Sequence, residues 1–309
     1  MASHENSHTI LVTGANGQVG FELCKILAPL GKVVPVDVQD CDLTSREAIE
    51  HMMRSVRPSI VVNPAAYTAV DKAQEEQQLA RSLNSDAPAI LAREAKKLRA
   101  LFVHYSTDYV FDGTKGEPWV ESDPTAPLSV YGQTKRDGEN AVMEEQGASL
   151  IFRLEWVYGV RGTNFFLRIL QLAHEREELK IVNDQFGAPT WSSAIAEATA
   201  AVIAQGLQDP FEFGSQHAGI YHMAAGGRTT WFDFAKSFLA ADPLRMSQTL
   251  KNLLPIPSSA YPTPAQRPTN SVLSCDKLQR TFGIKLASWE SLLNRAMSEY
   301  AGAVGQDAF

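Results

Sequence analysis

The run "TGANGQVG" at 13–20 constrains this chain more than any other stretch. It follows the β-rich "TILVT" and leads into "QVGFELCKILAPLG", whose apolar residues recur at helical spacing. Gly14, Gly17 and Gly20 therefore fall at a strand–helix junction. Glycine there permits a tight turn and lets backbone N–H groups approach a pyrophosphate closely, and the helix N-terminus adds a favourable field. The spacing is GxxGxxG rather than GxGxxG, and glycine triplets are common in turns. Its place at the first strand–helix junction gives this one its weight.

Strand-like and helix-like segments then alternate. "KVVPVDV" predicts a second strand ending in Asp37, and "SREAIEHMMRSVRP" a helix capped by Ser45, apolar along Ile49, Met52, Met53 and Val56, and stopped before Pro58. "SIVVNPAA" predicts a third strand, residues 75–98 helical material broken around Asp86–Pro88, although helix can restart with Pro88 in its first turn, and "ALFVHYSTDYVF" a fourth strand. This order predicts an α/β fold, a Rossmann-type doubly wound parallel sheet with ligands beyond the carboxyl ends of its strands. From about residue 156 the rhythm changes. "TNFFLRILQLAHEREEL" and "SSAIAEATAAVIAQGL" predict helices separated by the strand "KIVND", and 255–270, rich in Pro and Ser, predicts an irregular specificity loop. The expected division is a dinucleotide-binding domain over 1–155, with a returning segment near 180–206. Residues 156–309 form a smaller, loop-rich and mainly substrate-binding region.

Composition removes several classes of function. With 44% hydrophobic and 20% charged residues, the 309-residue chain has the balance of a globular protein. A formal charge of −7 argues against a broad nucleic-acid-binding face. Cys24, Cys41 and Cys275 suit neither a disulfide framework nor a zinc site. "MASHENSHTI" lacks the pattern of a secretory signal, and no apolar run is long enough to span a bilayer, so the expected compartment is the cytoplasm. No histidine is assigned to catalysis: His51, His174 and His217 lie in polar contexts, and His4 and His8 are expected in a flexible tail.

Candidate ligand contacts cluster at the predicted strand ends. Asp37 is placed to accept hydrogen bonds from an adenosine ribose, and its charge disfavours a 2′-phosphate, which leans towards NAD(H). Asp42 and Leu43 are candidates for the adenine pocket. Ala65 and Ala66, ending "NPAA", give a flat surface for a ring or ribose. Ser106 and Thr107 end the fourth strand, and Tyr131 and Lys135 follow at the start of a helix, four apart and hence on one face. A phenol titrates near 10 in water, and a neighbouring cation favours its ionised form. Thr107 completes an acid, a tuner and a polariser. A lone Tyr-x-x-x-Lys pair is an ordinary surface pair; behind a dinucleotide turn and a strand ending in Ser-Thr it reads as catalytic. Trp156 suits either a core role or stacking on sugar or base. Arg267 suits either a diphosphate fork or a surface salt bridge.

Together, "TGANGQVG", "STDYVFDG" and "YGQTK" resemble the extended short-chain dehydrogenase/reductases. "NPAAYTAVDKAQ", "HYSTDYVFDG", "FRLEWVYG", "NDQFGAPT" and "YPTPAQRP" resemble, more closely, the dTDP-4-dehydrorhamnose reductase family, from about residue 9 to beyond 290. The resemblance implies reduction of the C4 ketone of a dTDP-linked 4-keto-6-deoxy sugar, dTDP-4-dehydro-L-rhamnose, by NADH or NADPH. It implies that Tyr131 donates the proton, that Lys135 binds the nicotinamide ribose and tunes Tyr131, and that Thr107 is the modulator. Gly17, Gln18 and Val19 would contact the pyrophosphate, with Asp37, Asp42 and Leu43 around the adenosine. Ala66, Tyr67, Thr68 and Tyr105 would lie along the cofactor, and Thr107, Asp108 and Trp156 would face the sugar nucleotide. Some members form homodimers bridged by Mg2+ on glutamates. Glu22 and Glu299 match such positions, but "GAPT" is followed by Trp191-Ser192-Ser193 without the expected acid, so both read as solvated helix carboxylates.

Two other readings compete. Dehydratases of the superfamily resemble one another in an Asp-Glu pair after the catalytic Thr, whereas Thr107 precedes Asp108-Tyr109; an epimerase would retain its cofactor. A non-catalytic subunit, similar to regulatory partners of methionine adenosyltransferase, would not need Thr107, Tyr131 and Lys135 together.

Overall fold

A computed structural model describes residues 8–306. Its first half alternates as β1 (Thr9–Thr13), α1 (Gln18–Ile26), β2 (Lys32–Val36), α2 (Arg46–Val56), β3 (Ile60–Asn63), α3 (Gln77–Arg81), α4 (Ala87–Lys97), β4 (Leu101–Thr107), α5 (Val130–Glu144) and β5 (Ser149–Leu154). The second half contains β6 (Val157–Tyr158), α6 (Phe165–Glu175), β7 (Glu178–Val182), β8 (Phe186–Gly187), β9 (Thr190–Trp191), α7 (Ser192–Gln205), α8 (Pro210–Gln216) and β10 (Gly219–His222). It continues with β11 (Thr229–Thr230), α9 (Trp231–Ala240), β12 (Asn252–Ile256), α10 (Asp276–Phe282) and α11 (Trp289–Gln306).

The central sheet is parallel throughout, in the order β10-β5-β4-β3-β1-β2. Successive strand residues point to opposite faces, and the sequence supplies apolar side chains to both. Ile10, Val12, Ile60, Val62, Val103 and Phe152 enter one core with Leu23 of α1 and Ile195 and Val202 of α7. Leu11, Val61, Phe102 and Ile151 enter a second with Ile49 and Met53 of α2, Leu91 of α4 and Val142 of α5. Each such side chain contributes roughly 1.5–3 kcal/mol on burial. This is the doubly wound arrangement, and its sixth strand comes from 219–222.

Helix ends follow local chemistry. Ser45 caps α2 by accepting from the Ala48 N–H, and left-handed Arg57 closes it before Pro58. Several expectations need correction. β2 stops at Val36, so Asp37 lies in the following turn. Residues 75–98 do not break at Asp86–Pro88: a π-helical turn, Ser82–Asp86, joins α3 to α4, with Pro88 tolerated in the first turn of α4. The strand expected at 180–184 is shifted to β7, and Asp184 instead accepts from the Ser258 N–H. The start of the 255–270 stretch is not irregular, because β12 pairs with β7. His4 lies outside the described residues. His8 is not in a tail: its Nδ1 lies 3.1 Å from Ser59 Oγ and its carbonyl accepts from the Lys32 N–H.

Candidate active site

The carboxyl ends of β1, β3, β4 and β5 lie side by side, bringing Gly14, Asn63, Thr107 and Leu154 to one edge. Gly14 has φ +54°, and a Cβ there would lie 2.9 Å from the Ala65 Cα. A Cβ on Gly20 would lie 2.0 Å from the Gly14 carbonyl oxygen. The turn thus folds on itself and against the third strand, which only glycine permits. Gly17 begins α1 without a side-chain cap, so the first-turn N–H groups face outwards at the helix's positive end. Gln18 is tied to Asn164, whose Nδ2 donates to its Oε1, and Val19 packs on the first core. Asp37 bends back to the turn and accepts from the Asn16 N–H at 2.8 Å. A close-fitting backbone cradle with a carboxylate beside it suits a dinucleotide. Asp42 is exposed and accepts from the Thr44 hydroxyl and N–H, bonds that lower its pKa; Leu43 packs on the second core.

Asn84, in the π-helical turn, was not anticipated as a site residue. Its amide brackets Tyr67, accepting from the N–H at 2.8 Å and donating to the carbonyl at 3.1 Å, and it reaches Thr134 of α5. It therefore fixes the loop carrying Ala65, Ala66, Tyr67 and Thr68 to the helix carrying Tyr131. Tyr67 donates its hydroxyl to Glu76, while Thr68 is exposed.

Two glycines set the position of α5. Ser129 caps the helix by accepting from the Gly132 N–H, and a Cβ on Gly132 would lie 2.2 Å from the Tyr109 carbonyl oxygen. A Cβ on Gly138 would lie 2.0 Å from the Asn84 carbonyl oxygen. The first turn of α5 is thus pressed against the turn Asp108–Val110, which Thr107 caps by accepting from the Tyr109 N–H. Tyr131 meets the Tyr109 ring edge-on. Burial pushes the Tyr131 phenol up to about 12; the Thr107 hydroxyl, by hydrogen bonding, opposes this and the Asp108 carboxylate adds to it.

Lys135, expected near the phenol and a bound ribose, has its ammonium anchored on β4. It is buried, its Nζ donates to the Tyr105 carbonyl at 2.6 Å, and it lies 3.4 Å from His104 Nε2. His104 Nδ1 lies 3.0 Å from Asn63 Nδ2, and the Asn63 Oδ1 accepts from the Thr13 hydroxyl. A buried polar line therefore runs from the strand of the glycine turn to Lys135. Burial brings the Lys135 pKa down to about 8; burial and the Lys135 charge hold His104 well below its usual range, hence neutral. Tyr105 offers Lys135 its carbonyl, while its ring enters the core and its hydroxyl meets Thr199.

Asp108 and Glu155 are buried carboxyls at the same edge. Asp108 accepts from the Thr107 hydroxyl at 2.9 Å, and burial raises its pKa to about 7. Glu155 accepts from the N–H groups of Ala188 and Leu273, and burial followed by the Asp108 charge raises it well above the usual range. Trp156 is buried with φ +41°, its ring stacked on Trp231 at 3.6 Å. Arg267 forks onto Asp71 at 2.8 and 3.1 Å. Glu22 is not the solvated carboxylate expected: it is buried and paired with Lys25 at 3.1 Å. Glu299 is raised by burial and then by Glu22, and feels Lys25 and Arg161. Glu22 and Glu299 are close enough to couple, with Lys25 and Arg161 beside them, and among the described residues no three His, Cys, Asp or Glu side chains gather as metal ligands. No helix among the described residues is long and apolar enough to cross a membrane.

A family described as RmlD substrate binding domain matches residues 8–301. The dTDP-4-dehydrorhamnose reductase of Burkholderia thailandensis is 49% identical over 91% of this chain and 95% of its own length. Among solved structures, a dTDP-4-dehydrorhamnose reductase of Clostridium acetobutylicum superposes with TM-score 0.86 at 36% identity, covering 94% of this chain and 99% of that one. The corresponding reductase of Bacillus anthracis, in complex with NADP, gives TM-score 0.85 at 31% identity, covering 95% and 99%.

Proposed function

Because this chain belongs to the dTDP-4-dehydrorhamnose reductase family, we propose that it reduces the C4 ketone of dTDP-4-dehydro-L-rhamnose to give dTDP-L-rhamnose. NADH or NADPH supplies the hydride when bound. The backbone of Gly14, Gly17, Gln18, Val19 and Gly20 holds the pyrophosphate, with Asp37 at the ribose. Residues 1–155, with a returning segment near 180–206, are assigned to the dinucleotide, and 156–309 mainly to the sugar nucleotide. Tyr131 gives its phenolic proton to the oxygen formed at C4. Thr107 donates a hydrogen bond to that oxygen, and Lys135 orients the nicotinamide ribose with the N–H that Tyr105 and His104 leave free.

The observation carrying this reading is the packing of the first turn of α5, which carries Tyr131, through Gly132 onto the turn that Thr107 caps, at the sheet edge that also carries the glycine turn. Thr107-Asp108-Tyr109 lacks the second acid of a dehydratase. The test is nicotinamide consumption and product analysis with the 4-keto sugar nucleotide. Tyr131→Phe is expected to lower turnover by about 100-fold or more with cofactor binding retained. Equal rates in the two proteins would remove Tyr131 from its role.

A further inference from the structure

Thr107 has one proton to give, and the Asp108 carboxyl beside it decides where that proton goes. Its Oγ1 accepts from the Tyr109 N–H at 3.2 Å and donates to Asp108 Oδ1 at 2.9 Å. While Asp108 is a carboxylate and holds that proton, the hydroxyl can accept from Tyr131 or from a ligand but donates to neither. Asp108 is buried; its Oδ2 makes no hydrogen bond of good geometry, and the Ser271 hydroxyl beside it, with Thr107 and the N–H groups of Asp108 and Tyr109, pulls its pKa down against burial. Burial in such a place disfavours the ionised carboxylate more than the neutral acid.

We propose that Asp108 sets the direction of the Thr107 hydroxyl. As a carboxylic acid it donates to Thr107 and frees the Thr107 proton for the substrate oxygen; as a carboxylate it captures that proton. This rests on the reductase reading above. Asp108 is thus a positioning residue, acting through Thr107. After Tyr131 has given its proton to the sugar oxygen, the same path recharges it: Thr107 passes its proton to the phenolate and takes the Asp108 proton. The carboxylate left behind regains a proton from solvent water.

Burial is what favours the Asp108 acid form. Glu155 at the end of β5 and the Tyr131 and Tyr109 phenols face it, each itself held towards its neutral form by burial. Arg267 and Asp71, paired with each other, act on Tyr109. The Asp108 hydrogen-bond donors oppose burial without overcoming it, leaving it near 7.

Two measurements on the full chain test this. The first is kcat/KM for the sugar nucleotide between pH 6 and pH 8. Wild type is expected to fall about tenfold or more, and Asp108→Asn only about twofold, the remainder belonging to Lys135 near 8. The second is the infrared difference between wild type and Asp108→Asn without substrate. It should show the carbonyl stretch of a protonated carboxylic acid, lost with a midpoint near 7. An undiminished fall in Asp108→Asn, or no acid band at pH 6, overturns the proposal. An acid band that titrates in a protein with no turnover would instead reject the substrate reading alone.

Discussion

Gly132→Ala should separate the placement of Tyr131 from every other function of the fold. Alanine in a helix is normally better than glycine by about 0.5–1 kcal/mol, so an undisturbed α5 would gain stability. Here the added Cβ would lie 2.2 Å from the Tyr109 carbonyl oxygen and 3.0 Å from the Pro127 Cβ. Cβ contacts below 3.0 Å are essentially never found, so the helix and the Asp108–Val110 turn must part by at least about 0.8 Å. Tyr131 precedes Gly132 directly, and Thr107 caps that turn, so the gap between phenol and hydroxyl widens by a similar amount. A misplacement near 1 Å costs about 100-fold in rate. Overpacking also reverses the sign of the helix gain, giving a net loss of about 1–3 kcal/mol. The assay is kcat with NADPH and the sugar nucleotide, beside the nicotinamide dissociation constant by fluorescence and the melting temperature. Gly116→Ala is the control, because nothing lies within 4 Å of its added Cβ. If Gly132→Ala keeps kcat within about threefold of wild type, tight packing of α5 on the turn does not position the acid.

His104→Leu should leave the Asn63 amide and Lys135 each short of a buried partner, costing about 1–3 kcal/mol in denaturant unfolding and raising KM for the nicotinamide; His104→Gln, which keeps an acceptor, should lose less, and equal losses would discard the polar role. Asp108 makes folding stability depend on pH in a definite direction. Its folded pKa is raised by burial from 3.8 to about 7, so the native state holds its proton more tightly, and stability falls as pH rises through that window. Between pH 5 and pH 8, Asp108→Asn should therefore gain roughly 2–3 kcal/mol relative to wild type in guanidinium titrations; a constant difference across that range would place Asp108 at an ordinary pKa.

Local chemistry is what the sequence displays well. The glycine turn, the Ser45 cap and the Tyr131–Lys135 pair are each set by neighbours a few residues away, and each lies where spacing places it. Sheet order follows from alternation of strands and helices, with β10 as an addition that no nearby residue announces. Asn84 was hidden for a different reason. Its stretch reads as a helix interrupted before Pro88, and nothing in composition distinguishes a break from a π-helical turn that aims an amide at Tyr67 and Thr134. Glu155 sits in an apolar run, and that setting is the available signal: a carboxyl so placed must find partners, which it does at Ala188 and Leu273, far along the chain.

The fate of Lys135 shows why a motif can locate chemistry without fixing its sign. Helical spacing puts Tyr131 and Lys135 on one face, and that is purely local. Whether the pair makes a more acidic phenol depends on solvation and on what else the ammonium touches. Here β4 supplies the Tyr105 carbonyl and His104, which occupy the Lys135 head, while burial raises Tyr131 and lowers Lys135. Period-two alternation on β4 could have exposed the partnership, since His104 and Phe102 share the face that α5 covers, and their rings stack. The ammonium has three N–H groups, of which Tyr105 and His104 engage two, so its remaining donor has a defined direction before any ligand arrives. Under the proposed role, preorganisation of that kind is worth more than a lowered phenol pKa in the resting protein, because a proton-donating Tyr131 must still hold its proton when the sugar binds.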